Sequence, residues 1–118
     1  MGQIRTIAER RGAIVSDNPY YNPEKCGLTK VDEINDPEAN YSFKIACLWK
    51  RNSGGFLFGI DSGCSCPSPF DYFTPEMLTE IRSVGDLRAE LDHWYDAGKY
   101  DDIKEGLVSA YINAGGTR

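Results

Sequence analysis

The run Tyr41-Ser42-Phe43-Lys44-Ile45-Ala46-Cys47-Leu48-Trp49-Lys50-Arg51-Asn52-Ser53-Gly54-Gly55-Phe56-Leu57-Phe58-Gly59-Ile60 decides the fold class. Tyr41, Phe43, Ile45, Cys47 and Trp49 alternate with Ser42, Lys44, Ala46, Leu48 and Lys50, which is the period-two pattern of a half-buried strand. Asn52-Ser53-Gly54-Gly55 is a tight reversal, after which Phe56, Phe58 and Ile60 form the apolar face of a second strand. Pairing Arg51 with Phe56 sets Trp49 opposite Phe58 and Cys47 opposite Ile60. Both apolar faces then fall on one side of the sheet.

Working outward, Leu28 to Ile34 reads as a strand that enters the hairpin through the turn-rich Asn35-Asp36-Pro37-Glu38-Ala39-Asn40. Before it, Gln3 to Val15 has no clear period, and Ser16-Asp17-Asn18-Pro19-Tyr20-Tyr21-Asn22-Pro23-Glu24-Lys25 is dense in turn formers, with Tyr20 and Tyr21 placed to pin it to the body. Beyond residue 73 the period becomes helical. Thr74-Pro75-Glu76 carries helix-start chemistry, with Met77, Leu78 and Ile81 turned inward. Ser83 and Asp86 have capping-box spacing before the stripe Leu87, Leu91, Trp94 and Tyr95, which ends at Gly98. A last helix spans Asp101 to Asn113, with Ile103, Leu107, Val108, Tyr111 and Ile112 on one face and Gly115-Gly116 as its stop. Strands followed by helices predict an α+β domain: a small three-stranded antiparallel meander packed by two to three C-terminal helices. Residues 1–118 form a single domain on this reading, with a loop-rich arm (1–27), the sheet (28–61), a Cys/Pro loop (62–73) and the helices (74–114).

A chain of 118 residues, 41% hydrophobic and 12% aromatic, is long enough to bury one core without staples. Thirteen basic against eighteen acidic side chains give a net charge of −5, which argues against a general affinity for nucleic-acid phosphate. Arg5, Arg10 and Arg11 are the only basic cluster. No apolar run approaches the roughly 20 residues that span a bilayer, and no signal-peptide pattern opens the chain, so a cytoplasmic protein without membrane contact is expected. In that compartment the four cysteines read as thiols or metal ligands before disulfides. Met1 to Thr6 fits a myristoylation template and Asn40-Tyr41-Ser42 a glycosylation template, both short enough to arise by chance.

Rare residue types crowd into Asp61-Ser62-Gly63-Cys64-Ser65-Cys66-Pro67-Ser68-Pro69-Phe70-Asp71, the candidate binding surface. Pro67 and Pro69 hold Cys66 and Ser68 extended, and Gly63 supplies a bend before them. A loop this apolar and constrained is expected to be clamped over the core and to present a fixed surface, with Phe70 as its apolar anchor and the thiols as space-fillers. Three chemistries compete with that reading. Cys64 and Cys66 are the ligands a zinc site would use, completed by Cys26, Cys47 or His93, but one close pair and two scattered cysteines do not match structural zinc spacing. A nucleophilic Cys64 or Cys66 needs His93 as base, yet its sequence neighbours Asp61 and Asp71 disfavour a thiolate. Asp61 and Asp71 as an acid–base pair compete with turn-capping roles for the same carboxylates. No cofactor is expected.

The block Asp61 to Phe70, preceded by Tyr41-Ser42-Phe43, Trp49 and Gly54-Gly55, resembles the signature of an uncharacterised family of small actinobacteriophage proteins. The resemblance covers about residues 28–72; Asp71 stands where that family often has Glu, and the two C-terminal helices lie outside the match. It implies phage context without an activity. Together with the constrained loop, it leads to the expectation of a small phage-encoded accessory protein that binds a host or phage protein through the Cys/Pro loop. An enzyme, or a small-ligand or metal-binding protein, using Cys64, Cys66 and the nearby carboxylates is the alternative.

Overall fold

A computed structural model of the chain describes residues 18–39, 41–64 and 68–118, with only the backbone of Cys64. Strand β2 (Ser42–Arg51) lies between β1 (Leu28–Asn35) and β3 (Phe56–Cys64), and β4 (Thr79–Ile81) adds to the far side of β3. All pairings are antiparallel. Among the described residues the sheet is therefore a meander as expected, with four strands in place of three.

Every residue from Ile45 to Trp49 is buried. A strand buried without alternation is covered on both faces, and two separate apolar clusters cover it. On one face Ala46, Leu48, Phe56 and Phe58 pack with Leu87, Leu91, Trp94, Leu107, Val108 and Tyr111. On the other, Ile45, Cys47, Trp49 and Leu57 pack with Leu28 and Phe70.

This division corrects the expected register. Trp49 pairs with Leu57, Leu48 with Phe58 and Ala46 with Ile60, one residue away from the Arg51–Phe56 scheme. The loop is the cause: Arg51 N–H donates to Gly55 O at 2.8 Å and Gly54 N–H to Arg51 O at 2.9 Å, closing a three-residue reversal over Asn52, Ser53 and Gly54. Gly54 and Gly55 take φ values of 115° and 94°, a region closed to most side chains. Because side chains alternate strictly, the one-residue slip sends Trp49 and Phe58 to opposite faces.

The helical face comes from α1 (Val84–Trp94) and α2 (Asp101–Asn113). Ser83 caps α1 by accepting from Asp86 N–H at 3.2 Å, while Asp86 Oδ2 accepts from Arg82 N–H at 2.9 Å. The expected capping box is thus present with its return bond shifted by one residue. Leu87, Leu91 and Trp94 are buried as their spacing requires, but α1 stops at Trp94 rather than Gly98. Lys104, on α2, closes that end: its ammonium donates to the Tyr95 and Asp96 carbonyls at 2.6 and 2.9 Å and pairs with Asp92 at 3.2 Å. A cation there complements the negative end of the helix dipole.

The helix expected after Thr74 is absent. Pro75–Met77 makes one 3-10 turn with no side-chain cap from Thr74, and the chain then extends into β4. Leu78 joins the cluster on the Phe70 face, whereas Ile81 joins the helix-side cluster. A helix would have put residues three apart on one side; the core needs them on two.

Candidate functional site

The face of the sheet opposite the helices is closed by two loops, and their junction is built around Phe70. Gly59, across from Cys47 in the register, leaves the space: a Cβ there would lie 2.8 Å from Leu78 Cδ2 and 3.5 Å from the Phe70 ring. Phe70 fills that space with 0% exposure. Tyr20 stacks on it with ring centroids 4.8 Å apart, and Trp49 and Phe73 meet it edge-on at 5.7 and 4.7 Å. Such rings contribute beyond their buried area, about 0.5–1.5 kcal/mol per well-oriented pair.

Hydrogen bonds fix the same point. Asp61, near the end of β3, accepts from Phe70 N–H at 2.7 Å. The buried Asn18 amide donates to Phe70 O at 2.7 Å and Asp71 O at 3.2 Å, and its carbonyl accepts from Tyr20 and Tyr21 N–H. Tyr21 O–H donates to Pro69 O at 2.6 Å, and Trp49 Nε1–H donates to Pro19 O at 2.8 Å. Two segments without regular structure thus hold each other on the sheet. Tyr20 O–H also donates to Glu33, and burial together with that bond pushes its phenol pKa up.

The eleven candidate residues divide accordingly. Asp61, Ser62, Gly63 and the Cys64 backbone continue β3, pairing with Ile45, Lys44, Phe43 and Ser42. Ser68, Pro69, Phe70 and Asp71 form the arm that returns over the sheet. Ser65, Cys66 and Pro67 lie outside the described residues. Phe70 points into the core, so it anchors the loop to its own fold, contrary to the expectation of a surface anchor. Sequence reasoning missed Asn18 as the clamp; its only signal was the Asn-Pro-Tyr-Tyr-Asn-Pro density.

Beside Phe70 is a cavity of ≈ 240 Å³ lined by Phe43, Asp61, Ser62, Ser68, Asp71, Tyr72, Phe73 and Met77. Asp71 Oδ2 accepts from Ser68 N–H at 3.3 Å, and Asp71 Oδ1 is buried with no hydrogen-bond partner among the described residues. Tyr72 and Met77 are 76% and 54% exposed, and Tyr41, which precedes β2 at the end where Ser42 pairs with Cys64, is 79% exposed. These are the large exposed apolar side chains of the described residues; Tyr72 and Met77 line the cavity, and Tyr41 immediately precedes β2.

The side chains of Cys64 and Cys66, on which the zinc and nucleophile readings rest, lie outside the described residues. Cys26 and Cys47 are thiols. Burial pushes the Cys47 thiol pKa far up, so it packs as a small apolar group. Among the described residues no three His, Cys, Asp or Glu side chains gather as metal ligands. His93 is exposed on α1, and no helix among those residues is long and apolar enough to cross a membrane.

Fold and site together define a small α+β domain whose antiparallel sheet carries helices on one face and an aromatic-clamped pair of loops on the other. The chain belongs to the family described as Domain of unknown function (DUF7574), which matches residues 17–113. That span takes in both loops, the sheet and both helices. No curated protein and no solved structure matches the chain.

Proposed function

We propose that this is a binding protein that engages a protein partner through the sheet end where β3 runs into the Cys/Pro loop. The carrying observation is the coincidence there of exposed Tyr41, Tyr72 and Met77 with a loop arm whose backbone is tied down at Pro69, Phe70 and Asp71. Exposed aromatic and Met side chains are what interfaces enrich, and a surface fixed in advance loses little entropy on association. Phe70 supports this role from beneath. In this reading the partner is a host or phage protein in the cytoplasm of an infected bacterium, a context that the likeness of Asp61 to Phe70 to the actinobacteriophage block supports.

The test compares the tagged chain with Tyr41→Ser, Tyr72→Ser and Met77→Ser combined, after thermal melts establish that both are folded. The native chain is expected to retain one protein in stoichiometric amount from the producing cell. The triple variant is expected to lose it, since the few hot-spot side chains of an interface are worth about 2 kcal/mol or more each. Equal retention by both, or copurification of a nucleotide or metal in place of a protein, overturns the proposal.

A further inference from the structure

Strand pairing leaves half of one edge of β3 open. The bond from Arg51 N–H to Gly55 O turns the odd-numbered residues of β3 toward β2, because successive strand residues aim their N–H and C=O to opposite sides. The N–H and C=O of Phe56, Phe58, Ile60 and Ser62 therefore point away from β2. β4 meets the first two and ends at Thr79, opposite Phe58. Among the described residues no strand continues that ladder, no backbone bond from a turn or loop reaches Ile60 or Ser62, and Ser62 is exposed. The opposite edge of the sheet is defended, since β1 breaks register between Lys30 and Asp32 and carries Lys30, Asp32 and Glu33. Gly59 to Gly63 keeps an unbroken register and contains neither Lys nor Pro. Two hollows flank this open stretch: one of ≈ 250 Å³ bordered by Ile60 and Thr79, and the ≈ 240 Å³ cavity bordered by Asp61 and Ser62. Phe73 and Met77 line both.

We infer that the protein partner adds an extended segment beside Ile60 to Ser62, as a strand in line with β4, and seats an apolar side chain in the cavity beside Phe70; the inference rests on the binding reading above. Main-chain chemistry names the occupant, because a row of unpaired strand N–H and C=O groups is matched in spacing by another strand. Side chains of an added strand alternate between faces, so the residue opposite Asp61 lies on the Phe70 face. There Phe43, Tyr72, Phe73 and Met77 offer it apolar walls. Its two neighbours fall on the other face, where Ile60 packs against the helix-side core. A second copy of this chain fits worse. Setting Ile60 against Ser62 of another copy in antiparallel register puts Asp61 opposite Asp61, and like charges directly opposite each other destabilise a sheet. The net charge of −5 on each copy adds to that repulsion.

The experiment follows amide exchange and chemical shifts by NMR in the isotope-labelled full chain, alone and with acetyl-Thr-Val-Leu-Val-Thr amide as an extended probe. In the free chain the Ile60 and Ser62 amides are expected to exchange at least about tenfold faster than those of Gly59 and Asp61, which face β2. The probe is expected to shift the Ile60 and Ser62 amides saturably and to slow their exchange, and serine in place of its leucine is expected to weaken it about tenfold. Ser62→Pro removes an outward N–H without touching the β2 ladder, so it is expected to stay folded and to weaken the probe about tenfold, whereas Ser62→Ala binds as the native chain does. Ile60 and Ser62 amides protected like those of Gly59 and Asp61 in the free chain, no saturable shift at them, or equal probe binding by folded Ser62→Pro overturns the inference; the native-chain measurements decide even where Ser62→Pro does not fold. Protection of the two amides that grows with protein concentration overturns it in favour of a second copy. A partner retained equally well by Ser62→Pro overturns this inference and leaves the binding proposal standing. Probe binding at this edge with no protein partner retained does the reverse.

Discussion

Phe70 has φ 60°, in the left-handed region that costs a non-glycine residue roughly 1–2 kcal/mol. The chain holds it there because the ring is enclosed by Tyr20, Trp49 and Phe73 and both backbone groups are bonded, N–H to Asp61 and C=O to Asn18. Removing the ring should therefore cost stability before it costs binding. Phe70→Ala is expected to lower the unfolding free energy by about 3–5 kcal/mol in urea titrations. Phe70→Gly, relieved of the left-handed penalty, should be no less stable than Phe70→Ala. A Phe70→Ala chain with native stability would remove the ring from the role assigned to it. The sequence marked this residue as important through its unusual neighbours, but whether its ring faces in or out depends on Gly59, a residue with no side chain to signal the space it leaves.

At the level of elements, the β2–β3 hairpin and the Thr74 turn show where local signals stop. Alternation identified both strands, yet Ile45-Ala46-Cys47-Leu48-Trp49 is apolar at every position, the mark of a strand covered twice. Reading only the larger residues as inward suppressed half of that signal. The loop decided the register, and its two positive-φ glycines are the testable part. Gly54→Ala and Gly55→Ala are each expected to destabilise by about 1–2 kcal/mol, from left-handed strain alone at Gly54, which has open space around it. At Gly55 the added Cβ also meets Arg51 Nη1 at 3.1 Å. Unchanged midpoints in urea for both variants would show that the loop tolerates another turn and that something else sets the register. At Thr74 the helix-start residues form only one turn, without the Thr74 side-chain cap, because Thr79 to Ile81 gains ladder bonds to β3 and delivers Ile81 to the helix-side core.

Over the whole molecule, the helix layer is tied to the β1–β2 turn by Tyr95, whose hydroxyl donates to Asp36 at 2.5 Å, with Tyr100 also reaching Asp36 at 3.5 Å. The Tyr95 bond, and after it the Glu38 N–H, holds the Asp36 carboxyl below its ordinary value. The same bond is the first cause that pushes Tyr95 up to about 12. A depressed carboxylate contributes stability above its unfolded pKa of about 3.9 and loses it as pH falls through the lower folded value. A raised phenol contributes fully below about 10 and loses its contribution as pH rises toward the folded value. The stability gap between the native chain and Tyr95→Phe should then be level from about pH 5 to 9 and narrow at both extremes. Urea titrations across that range check it, and a gap unchanged at pH 11 would detach Tyr95 from the linkage.

What the sequence determined by itself is the local part: α+β order, the hairpin, the Ser83 cap, the span Asp101 to Asn113, and the loop around Asp61 to Asp71 as the distinctive feature. Those follow from periodicity and capping, which act over a few residues. Tertiary structure alone decided which face of β2 meets the helices, that Trp49 and Phe70 share a second core with Tyr20, and that Asn18 holds an arm 52 residues away. The reason is physical. Alternation says only that two faces differ, and a single extra loop residue exchanges them, whereas the cover for each face arrives from distant segments whose fit depends on packed volume.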